Sequence, residues 1–145
     1  MTKAQSLAGM RSALKWAGGK KKVVHEIASL LPKRGKTRLV EPFVGGGSVF
    51  LNLDFDEYLL IDMNKDLINL FNIIKNQPTA FIADAQRFFT GGNNDSEKYY
   101  QLRTQFNQST DPYERSLLFL YLNRHGYNGL CRYNKSGGYN VPFGR

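Results

Sequence analysis

Apolar residues recur along this chain in two ways, and the change between them falls near residue 75. In the first part, short apolar runs alternate with helically spaced ones. Val24, Ile27, Ala28 and Leu31 repeat at helical spacing after a basic start, and Pro32 and Gly35 end the segment, which predicts a helix. The run Leu39 to Phe43 reads as a strand that feeds three glycines, Gly45 to Gly47, and then another apolar stretch: a strand, a tight turn and a helix start. Tyr58, Leu59, Leu60 and Ile61 predict a second strand ending on Asp62, after which Asn64 is placed to cap a helix whose face carries Leu67, Leu70, Phe71 and Ile74. Beyond Pro78 the pattern is helical alone, with segments from Pro78 to Phe89, Ser96 to Phe106 and Pro112 to Arg124. The last of these is opened by Asp111 as cap and Pro112 in the first turn. Thr90 to Asn94 is loop chemistry, and Asn128-Gly129 between Tyr127 and Leu130 is a two-residue hairpin signal.

The glycines after the first strand carry chemistry as well as geometry. Glycine admits positive φ and lets a ligand approach main-chain N–H groups with no Cβ in the way. Asp62 ends the second strand fifteen residues after Gly47, where Rossmann-like sheets place a carboxylate on the ribose hydroxyls. A dinucleotide fingerprint would need glycine at position 50, which is Phe50 here. That third glycine allows close helix packing beside a pyrophosphate, so its absence favours a nucleoside cofactor without one, S-adenosylmethionine over NAD. An ordinary strand-to-helix turn is the plain alternative for the glycines alone, and Asp62 weighs against it.

Composition bounds the rest. The 145 residues are 41% hydrophobic and 22% charged, ordinary for one globular domain with a real core. The net charge of +8 is less ordinary and directs the chain toward polyanions, first of all the phosphates of nucleic acid. No apolar segment is long enough to span a bilayer, and the N-terminus lacks the order of a secretory signal, so no membrane association and a cytoplasmic location are expected. A single cysteine, Cys131, and two histidines, His25 and His125, exclude an internal disulfide and give no metal-ligand cluster.

After Glu114 there is no carboxylate, while Arg115, Arg124, Arg132, Lys135 and Arg145 alternate with Tyr121, Tyr127, Tyr133, Tyr139 and Phe143. Arginine clamps phosphates or reads guanine O6 and N7, and tyrosine stacks on a base or wedges into a step. A solvated basic face with tyrosines reaching out of a core fits the same composition.

Four segments then act together. Leu14 to Lys20 (Leu-Lys-Trp-Ala-Gly-Gly-Lys), Glu41 to Phe50 (beginning Glu-Pro-Phe-Val-Gly-Gly-Gly-Ser), Asp62 to Asp66, and Asn123 to Arg145 stand in an order that resembles the Dam-type DNA adenine-N6 methyltransferases. The resemblance runs from about Leu14 to the end. It implies an α/β fold, a Rossmann-like methyltransferase sheet, incomplete here, with an inserted helical target-recognition domain. Residues 1–75 would be the N-terminal part of the S-adenosylmethionine-binding domain and 76–145 the start of the recognition domain, with a hairpin near 127–141. It further implies a cofactor site of Trp16, Lys20, Phe43, Gly45, Gly47 and Asp62. Double-stranded DNA is the implied partner and GATC the family's usual target. Arg132 and Lys15 would read guanine, Tyr127 would wedge beside the extruded adenine, and Asn128 and Leu130 would complete that hairpin. Arg103, Arg124, Asn134 and Arg145 would contact phosphates. Restriction-modification or mismatch repair is the implied setting.

One departure is an absence. The family's chemistry depends on Asp-Pro-Pro-Tyr, and no Pro-Pro pair occurs in this sequence. The adenine amine is a poor nucleophile, and the extruded base must be held by an acceptor side chain, a backbone carbonyl and a stacked ring in line with the methyl group. The expectation is therefore an N-terminal portion inactive alone, with a missing C-terminal part or a complementing subunit supplying those groups. A non-catalytic DNA-binding module or antagonist is the alternative, and another nucleoside-cofactor enzyme a third reading. Two strands also cover Leu39, Val40, Leu59, Leu60 and Ile61 poorly, so the isolated chain is expected to be marginal, aggregation-prone or partner-dependent.

Overall fold

The computed structural model describes residues 9–32, 35 and 37–144. Its architecture is mixed α/β, with one small parallel sheet followed by helices. The described residues divide into two compact units: residues 9–13 with those of 18–62, and residues 14–17 with 63–144.

In the first unit, strand β1 (Arg38–Glu41) pairs in parallel with β2 (Glu57–Leu60), Arg38 opposite Glu57 and Glu41 opposite Leu60. The ladder continues past both strands, with the Ile61 amide on the Glu41 carbonyl at 2.9 Å and the Val44 amide on the Ile61 carbonyl at 3.0 Å. Alternation puts Leu39 and Glu41 on one face. Leu39 packs there with Val24 of helix α1 (Val24–Leu30), Val49 and Leu53, and Ile27, Ala28, Leu31, Phe50 and Phe55 close around them. Val40 and Leu59, paired in register, are about half exposed on the other face.

The segment after the glycines differs from the expected helix start. It makes one 3-10 turn, Phe50–Asn52, and Leu53 is already extended (φ −121°, ψ 140°). The reason is local competition: the Asn52 side-chain amide donates back to the Ser48 carbonyl at 2.9 Å and to the Met10 carbonyl at 3.1 Å, a pattern that replaces helix continuation. β2 then begins at Glu57, which leaves no room for a longer helix.

In the second unit, α2 (Lys65–Asn76), α3 (Pro78–Gln86) and α4 (Ser96–Gln108) all pack on α5 (Pro112–His125). The caps form as the sequence predicts. Asn64 accepts from the Asp66 and Leu67 amides at 3.0 and 3.1 Å, and Asp111 from the Glu114 amide at 2.7 Å. Leu67 and Leu70 are fully buried, as the helical spacing requires. Buried residues lie all around α5, including Ser116, Leu118, Phe119, Tyr121, Leu122 and Asn123, because it is wrapped by three helices and by the chain that follows it.

That following chain, residues 126–143, forms an arm. The Asn128-Gly129 turn is present: both residues have positive φ (53° and 62°), and the Leu130 amide donates to the Tyr127 carbonyl at 3.1 Å, the geometry of a primed turn. It does not end a hairpin, however. The chain runs on to Tyr133, turns over Asn134 to Gly138, and returns through Tyr139, with antiparallel bridges at Tyr133–Tyr139 and Gly126–Phe143.

Candidate functional site

The glycine turn and the carboxylate predicted from their spacing meet. The Gly45 amide donates to Asp62 Oδ2 at 3.0 Å. Gly45 and Gly47 have φ of 50° and 81°, which a side chain would resist. At Gly47 space adds a second constraint, since a Cβ would lie 2.4 Å from the Phe50 ring. Lys20 Nζ donates to the Phe43 carbonyl at 2.9 Å, which ties the basic 3-10 turn Lys20–Val23 before α1 to the same glycine turn, and the Phe43 side chain stands out, 73% exposed. Thus Lys20, Phe43, Gly45, Gly47 and Asp62 gather in the first unit. Trp16 belongs to the second, half-buried next to Lys15.

Glu41 is a member of this turn that sequence reasoning passed over. It is buried, and neither carboxylate oxygen has a hydrogen-bond partner. Burial pushes its carboxyl above the usual range, while the Lys20 ammonium and the Phe50 amide pull it back. A buried carboxylate that feels the pull of the Phe50 amide but makes no well-formed hydrogen bond is unfavourable unless a cation or donor completes it. The signal was available, because a charged residue two positions after Leu39 in a strand must share its inward face.

In the second unit a cleft of about 670 Å³ is lined by Lys15, Arg124, Tyr127 and Asn128 together with Phe89 and His125. Four of the predicted DNA-facing residues therefore share one surface. Lys15 Nζ donates to the Arg124 carbonyl at 3.2 Å. Its main chain is fixed by fully buried Asn123, which accepts from the Lys15 amide at 2.8 Å and donates to the Lys15 carbonyl at 2.7 Å and the Gly129 carbonyl at 3.2 Å. Asn123 thus holds the Lys15 segment and the Tyr127–Leu130 turn in one arrangement. His125 stacks between Tyr121 (ring centroids 4.2 Å apart) and Phe89 (5.5 Å).

The other predicted residues lie on the arm or hold it. Arg132 is exposed, and its guanidinium is oriented by Asn140 through Nε to Oδ1 (2.8 Å) and Nη2 to the carbonyl (3.2 Å). Asn134 caps the arm's tip, its Oδ1 accepting from the Ser136 and Gly138 amides at 3.1 and 2.8 Å. Arg103 is half-buried, with Nη1 on the Val141 carbonyl at 2.9 Å and its guanidinium 4.7 Å from the centre of the Tyr100 ring. Arg145 lies outside the described residues. Among the described residues there is no group of three or more His, Cys, Asp or Glu side chains that could hold a metal ion, and no helix long and apolar enough to cross a membrane.

Comparison with known proteins bears on the same residues. The DNA adenine methylase of Vibrio cholerae is 59% identical over 134 residues, 92% of this chain and 48% of that protein. Those of Serratia marcescens and Escherichia coli strain K12 are 58% and 56% identical over 135 residues, 93% of this chain and 49% and 48% of theirs. The chain thus spans about half the length of these relatives. The family model of the D12 class N6 adenine-specific DNA methyltransferases matches residues 16–145, which takes in the glycine turn, Asp62, the arm and the cleft apart from Lys15. The chain belongs to that family.

Proposed function

We propose that this chain carries the cofactor-binding and DNA-reading parts of an enzyme that transfers a methyl group from S-adenosylmethionine to adenine N6 in duplex DNA, with GATC as the expected target. The observation that carries the reading is the meeting of Gly45 and Asp62 in a chain of this family. The glycine turn offers main-chain donors, and Asp62 stands beside it to take ribose hydroxyls.

The residues present fit that cofactor. The orphaned carboxylate of Glu41 suits a ligand that brings positive charge, as S-adenosylmethionine does at its ammonium and sulfonium, whereas NAD would bring a pyrophosphate to the same acidic turn. Lys20, Phe43, Gly45, Gly47 and Asp62 would hold the cofactor with Glu41, and Trp16 is carried by the family resemblance alone. When bound, the cofactor supplies the electrophilic methyl group. The chain's part is to bind and orient it and, through Lys15, Arg124, Tyr127, Asn128, Leu130 and Arg132, to hold the duplex. Arg103, Asn134 and Arg145 are the further phosphate contacts of this reading. The 76–145 region serves as the recognition domain, and the Asp-Pro-Pro-Tyr groups come from outside this sequence. A cytoplasmic protein follows from action on DNA.

Titration calorimetry tests the cofactor arm of the proposal. S-adenosylmethionine should bind with one-to-one stoichiometry, and NAD should neither bind nor compete. Competition by NAD would overturn it. A duplex containing GATC should bind in preference to a scrambled one, and no preference would overturn the DNA-reading arm.

A further inference from the structure

The arm's two limbs are tied to different helices. The return limb is held by α4: Asn107 exchanges hydrogen bonds with the Tyr139 backbone at 2.8 and 3.1 Å, and Arg103 and Tyr99 both donate to the Val141 carbonyl. The outgoing limb is held by the first turn of α2. There the Tyr133 hydroxyl donates to Asp66 Oδ2 at 2.7 Å, and Asn64 Nδ2 contacts Cys131 Sγ at 3.1 Å. Asp66 is itself fixed from the other side. Arg115 of α5 meets it through Nε and Nη2 at 2.9 and 3.0 Å, and its Nη1 also donates to the Phe106 and Ser109 carbonyls at the end of α4. The guanidinium lies 4.1 Å from the centre of the Phe106 ring. Asp66 and Arg115 are mostly buried, so this pair is little screened by solvent.

Arg132, the residue of the outgoing limb that reaches outward, sits next to Tyr133 in the chain. Alternation along an extended limb sends Tyr133 toward the helices and Arg132 away from them. The Tyr133 hydroxyl therefore sets where the Arg132 side chain begins. We propose that Asp66 and Tyr133 form a latch that fixes the register of the outgoing limb, and that both are positioning residues for sequence discrimination. This rests on the proposed reading of the arm as the DNA reader. Burial, and then the neighbouring Cys131 and Asp66, hold the Tyr133 phenol far above its ordinary range, so it stays a donor throughout the physiological range. Fold stability does not by itself require the hydroxyl, because the Tyr133 ring also packs edge-on against Tyr139 at 5.6 Å and Arg115 still neutralises Asp66.

The chain offers an internal control. Tyr113 donates to Asp84 Oδ2 at 2.9 Å, a bond of the same chemistry between α5 and α3, away from the arm. Fluorescence anisotropy would compare the wild type, Tyr133→Phe and Tyr113→Phe on a labelled duplex with a central GATC and on one in which it is replaced by GTAC. Phosphate contacts dominate binding to the second duplex, so its affinity should stay within about twofold for all three proteins. The preference for GATC should fall about tenfold in Tyr133→Phe, as expected for loss of one hydrogen bond to a charged group, and stay within about twofold in Tyr113→Phe. Preference retained by Tyr133→Phe, or lost equally by both variants, would overturn the latch alone. A thermal midpoint lowered by more than about ten degrees in Tyr133→Phe would also overturn it, since the hydroxyl would then belong to the fold. A wild type without preference would instead overturn the DNA reading on which the latch rests.

Discussion

Gly45 and Asp62 are joined by a 3.0 Å hydrogen bond from amide to carboxylate, so one oxygen of Asp62 is spent on the turn that would cradle the cofactor. The bond orients the carboxylate without neutralising it, because its donor is a main-chain amide held in the glycine turn. Asp62→Asn keeps an acceptor for the Gly45 amide but loses the charge-assisted bond to a ribose hydroxyl. Such a bond contributes about 1.5–3 kcal/mol, which is roughly ten- to hundredfold in affinity. Calorimetry should show that loss for S-adenosylmethionine with an unchanged thermal midpoint. Equal affinity in Asp62→Asn would mean that Asp62 serves the turn alone.

Glu41 would set stability against the proposed cofactor binding. Its carboxyl is raised by burial, so the folded chain holds the proton more tightly than the unfolded one. Stability is then fully present below the ordinary carboxylate range and is lost as pH rises through the raised value. Glu41→Gln removes the charge that must be desolvated. The variant should melt a few degrees higher at pH 7, lose the decline in midpoint above the carboxylate range, and bind S-adenosylmethionine more weakly. A midpoint lower than wild type at neutral pH would show that the carboxylate already has a stabilising partner.

On the proposed function, Arg132 and Arg124 would separate reading from holding. Arg132 is exposed on the arm with its guanidinium aimed by Asn140, while Arg124 lines the cleft with Lys15. Arg132→Ala should cost about 1–3 kcal/mol at one base pair of the target and leave the rest of the preference intact. Arg124→Ala should weaken every duplex and reduce the salt slope by about one. Binding measured over the single-base variants of GATC distinguishes the two patterns, and the same uniform loss from both would sink the assignment.

How much of this was legible follows from how local each signal is. Strand, glycine turn, Asp62 and the caps at Asn64 and Asp111 could be read because each is a short-range pattern with a backbone cause. The Asn128-Gly129 turn was legible as a turn but not as a shoulder. Nothing local says that the Asn134 side chain will close a second turn further on, or that Asn107 will clamp Tyr139 across the unit. Asn123 and Asp66 fall within the motif segments but show no role in the sequence, because their partners, Lys15 and Arg115, lie about a hundred and about fifty residues away. The missing helix after Gly47 shows the converse, a local asparagine overriding an apolar pattern.

Gly129 joins two of these elements at close quarters. Its φ is positive, and a Cβ built there would lie 2.2 Å from the Lys15 Cβ, an atom too near the main chain to swing away. Lys15 cannot give way as a segment either, since Asn123 grips its amide and carbonyl. Gly129→Ala therefore combines backbone strain of about 1–3 kcal/mol with a forced shift of Lys15. A thermal midpoint several degrees lower and a weaker grip on duplex DNA are expected together. An alanine variant as stable as wild type would show that the Lys15 segment is not held where Asn123 places it.

Val40 and Leu59 make the remaining prediction. They are register partners on the face of the sheet that α1 does not cover, and each is about half exposed, with Ile61 beyond them on the same face. A polar pair on that face, Arg38–Glu57, is a 2.6 Å ion pair at 60% exposure on both sides, which adds little stability and does not mask the apolar pair. Adjacent exposed aliphatic side chains on a sheet of two strands invite self-association. Val40→Thr with Leu59→Lys keeps β-compatible residues in both strands while removing the apolar pair. Because neither side chain belongs to the Val24, Leu39, Val49 and Leu53 core, the double variant should unfold within about 1 kcal/mol of wild type. Light scattering at raised concentration should fall at the same time. Unfolding of the variant would place these residues in a buried contact and refute the open face, whereas unchanged scattering would move the association surface elsewhere, to the exposed Phe43 and Met63.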